Sequence, residues 1–327
     1  MFLSLAPMAD ITHLAFRRLV SHFKAPSLFY SEMIHSPSLL SGGHFEKWYI
    51  KTYSNEKLIW QITSNETETV KETIPILLNN GGLGIDLNMG CSAPHIVATG
   101  AGFAWLKKDR NCVGRFVKNA RYALDEYIKH SGKKELFLSV KMRLISEEYS
   151  ILKDFVLFLI DSGVEKITLH PRFQKQRYSR MPHYEYIESL AKDVLVNVFG
   201  NGDVKSYLDI KHLSLKYPHV SGWMIGREAI KKPWIFKEIE NEAMNVPKKT
   251  KIDLLEVALL FLQNLKEDQP KEFHLLRAKR FFSYFCDNFT FSHYVKTKIL
   301  NAKCIEEMLD ILKSYFSEMP NEKERFI

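Results

Sequence analysis

Cysteine is scarce in this chain, with four residues among 327, at positions 91, 112, 286 and 304. No two of them have the C-x-x-C spacing that holds zinc or carries thiol exchange, so we expect no metal site. Sparse cysteine is typical of proteins that work in a reducing compartment, and a cytoplasmic location is therefore expected.

Long apolar runs are missing as well. No window approaches 18 uninterrupted apolar residues, so we expect no transmembrane helix and no membrane partner. The N-terminal MFLSLAPMAD has no basic segment, and Pro7 and Asp10 interrupt its apolar run, so no signal peptide is expected. Proline and glycine are modest, at 12 and 15 residues, which excludes a long disordered segment.

Short apolar runs alternate with helical patterns along most of the chain. About eight such strands over roughly 240 residues predict a closed (β/α)₈ barrel. A doubly wound open sheet is the alternative, but the first strand-to-helix turn, APMADITH, lacks the G-x-G-x-x-G fingerprint. The predicted strands are Phe2–Ala6, Ser27–Met33, Leu58–Ile62, Ile85–Leu87, Leu136–Met142, Lys166–His170, Val194–Phe199 and Trp223–Ile225.

The texture changes after Met244. A polar linker, NVPKKT, precedes what reads as helices alone, at about 252–266, 270–286 and 294–318. We therefore predict a barrel over residues 1–243 and a small all-helical domain over 244–327. The net charge of +8 suits a polyanionic partner, and the tail mixes aromatic and basic residues as RNA-binding surfaces do. An ordinary helical bundle with a solvated basic face is the alternative for this tail.

Polar residues follow the carboxyl end of every predicted strand, and in a barrel these ends meet at one mouth. Taken singly, each has a structural alternative: Cys91 as a small buried residue, Gln61 as a loop cap, Lys141 as a partner of Glu32, and His170 as a core histidine. The residues are Pro7, Met8, Glu32, Gln61, Asn88, Cys91, Lys141, Arg143, His170, Arg172, Asn201, Gly202, Asp203, Gly226 and Arg227.

The last two loops point to a phosphorylated cofactor. Barrels of this kind bind phosphate after strands seven and eight, where Asn201-Gly202-Asp203 and Gly226-Arg227 stand. Glycine lets the backbone approach the phosphate, and Arg227 adds a cationic fork. Lys141 and His170 could then contact the electron-rich edge of a flavin, where a cation stabilises the reduced ring.

Seven short motifs follow one another along the chain. They are Leu5-Ala6-Pro7-Met8-Ala9, Asn88-Met89-Gly90-Cys91, Gly100-Ala101-Gly102, Val140-Lys141-Met142-Arg143, His170-Pro171-Arg172, Gly200-Asn201-Gly202-Asp203 and Met224-Ile225-Gly226-Arg227. In this order they resemble a known family, the tRNA-dihydrouridine synthases. The resemblance covers about residues 3–240, and more weakly the tail through Lys279-Arg280-Phe281-Phe282-Ser283-Tyr284.

The resemblance implies an FMN-containing barrel with a helical domain that helps to hold tRNA, and NADPH (or NADH) as the reductant. It implies that Cys91 protonates C5 of uridine while hydride goes to C6. Flavin-binding positions would be Pro7, Met8, Gln61, Lys141, His170, Asn201, Gly202, Asp203, Gly226 and Arg227. Substrate positions would be Asn88, Arg143 and Arg172, with Lys279 and Arg280 in the tail.

Three residues depart from the family's pattern: Ser92 replaces a proline, Asp10 a glycine, and Pro171 a small residue. Two other functions stay open, a flavin barrel that reduces a small molecule and an RNA-binding barrel that has lost its redox role. Ribosomal RNA is an alternative substrate to tRNA. We expect the protein to be a monomer.

Overall fold

Eight parallel strand positions close into a barrel in the computed structural model, which describes residues 1–327. The second position is divided into two short strands, so the strands are numbered to nine. The first strand pairs with the last, Leu3 opposite Trp223, and the second strand pairs with the fourth, Phe29 opposite Leu58. The strands are β1 (Leu3–Leu5), β2 (Leu28–Tyr30) with its continuation β3 (Ile34–His35), β4 (Leu58–Thr63), β5 (Gly84–Met89), β6 (Phe137–Arg143), β7 (Lys166–His170), β8 (Asn197–Asn201) and β9 (Gly222–Ile225). The predicted (β/α)₈ barrel is confirmed.

Helices surround these strands. The longest, at residues 110–131, begins where Asp109 accepts a hydrogen bond from the Asn111 N–H and ends at Gly132, whose φ is +72°. The helices of this part are α1 (Leu14–Phe23), α2 (Ser36–Leu40), α3 (Glu46–Tyr49), α4 (Val70–Asn79), α5 (Pro94–Ala98), α6 (Arg110–Ser131), α7 (Tyr149–Asp161), α8 (Glu185–Asp193), α9 (Tyr207–Lys216), α10 (Arg227–Lys231) and α11 (Ile235–Ala243). No helix has the length and apolar character needed to cross a bilayer.

Two local boundaries differ from the sequence-based prediction. The strand predicted over Ser27–Met33 breaks after Tyr30. At this point the Ser31 hydroxyl accepts from the Gln61 N–H, where a regular strand would offer a backbone carbonyl. Asn65, followed by Glu66 and Glu68, predicts a helix that begins at residue 65. The helix begins at Val70 instead, because the Ser64 hydroxyl accepts from the Glu66 N–H and closes a turn before it.

The sequence predicts helices alone for the tail, and this is wrong in one respect, because the tail also contains a short two-stranded sheet. Two strands near the start and the end of the tail pair in antiparallel fashion, with Lys251 opposite Phe326. The helix expected at about 294–318 is divided into two helices near Lys303, whose N–H donates to the Glu307 carboxylate. The elements are β10 (Lys251–Asp253), α12 (Leu254–Asp268), α13 (Lys271–Phe285), α14 (Ser292–Asn301), α15 (Ile305–Glu318) and β11 (Glu324–Phe326).

The tail packs directly on the barrel. One apolar core runs through both parts, and the ring of Phe16 on α1 lies 6.2 Å from that of Phe281 on α13. Arg277 of α13 forms a buried ion pair with Glu32, which follows β2. This packing brings α13 to the rim of the barrel mouth. The division of the chain at residue 243 stays a prediction.

Candidate functional site

A cavity of about 870 Å³ opens at the carboxyl ends of the barrel strands, with α13 forming part of its wall. Except for Arg172 and Lys279, every residue predicted for the site lines it. Those residues are Pro7, Met8, Gln61, Asn88, Cys91, Lys141, Arg143, His170, Asn201, Gly202, Asp203, Gly226, Arg227 and Arg280.

Both backbone polar groups of Cys91 are hydrogen-bonded, and this fixes the residue on its loop. Its N–H donates to Asn88 Oδ1 at 3.0 Å, and its carbonyl accepts from the Phe103 N–H at 2.9 Å. Gly102, with φ +57°, passes so close that a Cβ there would lie 2.7 Å from the Cys91 oxygen. The thiol is free and partly exposed to the cavity. The loop therefore presents a fixed, accessible thiol.

Below Cys91, polar side chains form a row across the barrel interior. Asn88 Nδ2 donates to Gln61 Oε1 at 2.8 Å, and Gln61 Nε2 donates to Asp86 Oδ2 at 2.7 Å. The Ser139 hydroxyl donates to the other Asp86 oxygen at 2.7 Å. Burial raises the pKa of Asp86 to about 6, although these hydrogen bonds favour its charged form.

Lys141 lines the cavity and supplies a positive charge there. Burial is the main cause that lowers its pKa to about 8, and neighbouring Arg143 adds to the effect. Glu32, the alternative partner that the sequence left open, is instead engaged by Arg277 and by the Asp10 N–H. The ammonium of Lys141 is thus left to meet a bound anion or an electron-rich ring.

His170 is a neutral hydrogen-bonding group in this site. Burial, followed by Lys141 and Arg143, holds its pKa far below the ordinary range. Arg172 Nη1 lies 3.0 Å from His170 Nε2, and a guanidinium can only donate. The proton of the imidazole is therefore on Nδ1. Of the pair predicted to face a flavin edge, Lys141 alone is the cation.

The structure places Arg172 behind the cavity wall, and this corrects its expected contact with substrate. Its side chain is fully buried and donates to His170, to Asp203 and to two backbone carbonyls of the loop that follows β7. It orients its neighbours, because no donor of it reaches the cavity. Lys279 is half-buried on α13 and does not line the cavity either.

A group of backbone donors without acceptors, called here the amide cradle, follows β8 and β9. The N–H groups of Gly202, Asp203, Val204 and Gly226 donate to no backbone acceptor. Arg227 stands beside them and donates to Asp203 Oδ1 at 2.8 Å. Free amides with an adjacent guanidinium are a donor set that fits a phosphate group. The residues present therefore suit the phosphate of a nucleotide cofactor.

Tyr178 was missed by sequence reasoning. It lies in an irregular segment after β7, and its ring is nearly parallel to that of His170, with centroids 5.9 Å apart. Its hydroxyl accepts from Arg143 Nη2 at 2.9 Å, and the Arg227 guanidinium lies 4.3 Å from its ring. No periodic pattern in the sequence distinguishes this residue, so only the fold could reveal it.

The structure shows the surroundings of the three residues that differ from the family's pattern, Asp10, Pro171 and Ser92. Asp10 has φ +61°, a left-handed conformation that glycine adopts readily and aspartate tolerates. The Pro171 carbonyl accepts from the His183 N–H at 2.8 Å, and Ser92 lines the cavity beside Cys91.

Comparison with known proteins agrees with this geometry. The dihydrouridine synthase (Dus) family matches residues 4–320. A protein of Staphylococcus aureus (strain Mu50 / ATCC 700699) named "Probable tRNA-dihydrouridine synthase" is 26% identical, covering 97% of this chain and 94% of its own. A protein of the same name from Aquifex aeolicus (strain VF5) is 30% identical, covering 93% of each. The structure of morphinone reductase in complex with tetrahydroNAD matches with a TM-score of 0.50 at 10% identity, over 75% of this chain and 86% of that one, which supports the barrel fold alone.

Proposed function

This chain belongs to the dihydrouridine synthase family, and on that premise we propose that it reduces specific uridines of tRNA to 5,6-dihydrouridine. The observation that carries the proposal is a single cavity holding three features: the Cys91 thiol, the Lys141 ammonium and the amide cradle. The relatives that match this chain over nearly their whole length are named for the same activity.

The cradle residues suit the phosphate of FMN, and the groups proposed to bind its ring line the same cavity as Cys91. Arg227 and the free N–H groups of Gly202, Asp203 and Gly226 would hold the phosphate. Lys141, neutral His170 and Gln61 would contact the ring, with Pro7, Met8 and Asn201 beside it. When bound and reduced by NADPH or NADH, FMN supplies the hydride for C6 of uridine.

Cys91 is the proposed acid for C5. A cysteine thiol is mostly protonated at neutral pH and can donate that proton as the C5–C6 bond is reduced. Asn88 and Arg143 line the same cavity and offer an amide and a guanidinium to the uracil edge. Uridine must leave its stack to enter, as bases do in other enzymes that act on them.

The tail supports an RNA substrate over a small molecule. Arg280 and Tyr284 of α13 line the cavity together with the barrel residues, so the tail is part of the site. Lys279 is the residue immediately before Arg280 on the same helix. A cation and an aromatic ring at the rim suit phosphate contact and base stacking. We propose a cytoplasmic location, in keeping with four free cysteines, and we propose a monomer.

The test compares dihydrouridine, position by position, in tRNA and ribosomal RNA from cells with and without the gene. We expect specific tRNA positions to lose dihydrouridine. Loss of dihydrouridine from ribosomal RNA alone would refute tRNA as the substrate and identify ribosomal RNA instead. Unchanged dihydrouridine in both RNAs would refute the proposed activity. In vitro, Cys91→Ala should keep its flavin absorbance and lose most uridine reduction, whereas Cys304→Ala, at an exposed tail position, should be fully active.

A further inference from the structure

Asp86 is buried inside the barrel, below the cavity, and the proposed chemistry gives it no role. Its side chain is inaccessible to solvent, on β5 between the facing residues Gln61 of β4 and Ser139 of β6. A charged group in such a place requires a compensating reason, because burial opposes its ionised form. The hydrogen bonds around it supply one.

The direction of these hydrogen bonds is fixed by Asp86. An ionised carboxylate can only accept, so Gln61 must turn its NH₂ group to Asp86 and its oxygen to Asn88. Asn88 then donates with Nδ2, which leaves Oδ1 to face the Cys91 loop. That oxygen accepts from the N–H groups of Gly90 at 3.2 Å and Cys91 at 3.0 Å.

We propose that Asp86 is a positioning residue for the Cys91 loop, acting through the side-chain amides of Gln61 and Asn88. Without an acceptor at position 86, Gln61 is free to rotate its amide by half a turn. Its NH₂ group would then face Asn88, whose amide must turn as well and present NH₂ to two backbone N–H donors. The loop would lose both hydrogen bonds from its N-terminal side.

The relevance of this row to uridine reduction rests on the proposed function, but the row itself can be tested without that reaction. The readout is alkylation of Cys91 by iodoacetamide in the full-length protein, followed by peptide mass spectrometry. Exposed Cys304 in the same sample serves as the internal reference. Variants are compared at equal flavin occupancy, which is measured by absorbance.

Three variants separate the acceptor from the charge. Asp86→Leu removes both and should raise the Cys91/Cys304 rate ratio at least about fivefold, as expected for the loss of two hydrogen bonds at the low end of their usual net contribution. Asp86→Asn removes only the charge. It keeps an oxygen for Gln61 when its NH₂ turns to the Ser139 hydroxyl, which can donate to the Ile85 carbonyl, so its ratio should stay within about twofold of wild type. Gln61→Met keeps the charge and interrupts the row, and it should match Asp86→Leu.

Two results would overturn the proposal. An Asp86→Asn ratio as high as that of Asp86→Leu would show that the charge matters and the amide direction does not. Unchanged Cys91 reactivity in Gln61→Met would show that the row does not reach the loop, and this variant decides the question even when Asp86→Leu fails to fold. A change in alkylation together with absent uridine reduction by the wild-type protein would refute the proposed function and leave this one standing.

Discussion

Replacing Gly102 with alanine tests how tightly the glycine-rich segment fixes Cys91. Two costs are expected. The residue has φ +57°, a conformation that costs an L-residue about 1–2 kcal/mol. The new Cβ would also lie 2.7 Å from the Cys91 carbonyl oxygen and 3.1 Å from its Cβ. To reach an ordinary contact of about 3.3 Å, one of them must move by roughly 0.6 Å.

Gly132 offers a matched control. It has φ +72° at the end of α6, and a Cβ there would meet no atom within 4 Å. Alanine at position 132 therefore carries the conformational cost alone, about 1–2 kcal/mol of stability, without touching the site. The difference between the two variants isolates the contact with Cys91.

The assays are thermal denaturation and single-turnover dihydrouridine formation with bound, reduced flavin. Gly132→Ala should lose stability and keep its turnover rate. Gly102→Ala should lose more stability and, since a displacement of about 1 Å can cost on the order of a hundredfold, roughly tenfold in turnover. Equal stability and equal turnover in the two variants would refute the account of Gly102 as a packing constraint on Cys91.

Three further perturbations follow from the site and the core. The ammonium of Lys141, with its pKa of about 8, loses its proton as pH rises through that value, so flavin affinity should fall from pH 7 to pH 9 in a fluorescence titration. Lys141→Met should bind flavin weakly with a flat profile, and a wild-type-like profile in this variant would assign the titration elsewhere. Arg227→Leu should weaken FMN binding about tenfold or more and leave riboflavin, which has no phosphate, unaffected, since a charge-assisted contact contributes roughly 1.5–3 kcal/mol. Arg17→Met should destabilise the fold by about 3–5 kcal/mol in denaturation experiments, because it strands the buried carboxylate of Glu56, whereas Lys71→Met, at an exposed ion pair, should cause no measurable change.

Local patterns were sufficient for the barrel. Alternating apolar runs and helical periodicity predicted all eight strands of the barrel and the helical character of the tail, because each of these signals lies within about a dozen residues of chain. The pairing of β10 with β11 was missed because its two strands stand some 70 residues apart and neither has a periodic signature. The break after Tyr30 was missed because it depends on a side-chain hydroxyl meeting a strand that follows later in the sequence.

The tail showed the same limit on a larger scale. Its basic and aromatic residues were visible in the sequence, and so was its helical character. α13 reaches the barrel mouth through contacts between residues far apart in the chain, among them the buried ion pair of Arg277 with Glu32 and the packing of Phe281 against Phe16. Arg280 consequently lines the cavity, while neighbouring Lys279 does not.

By itself, the sequence determined which chemical groups stand at the ends of the strands, because strand ends in a closed barrel must converge. Only the tertiary structure decided how those groups act on one another. Arg172 turned out to orient His170 from behind the wall, and His170 to be neutral, because burial and neighbouring cations set its protonation. Asp86 read as one more strand residue until closure of the barrel set it against Gln61. Hydrogen-bond direction and pKa depend on neighbours in space, and the order of residues along the chain does not contain them.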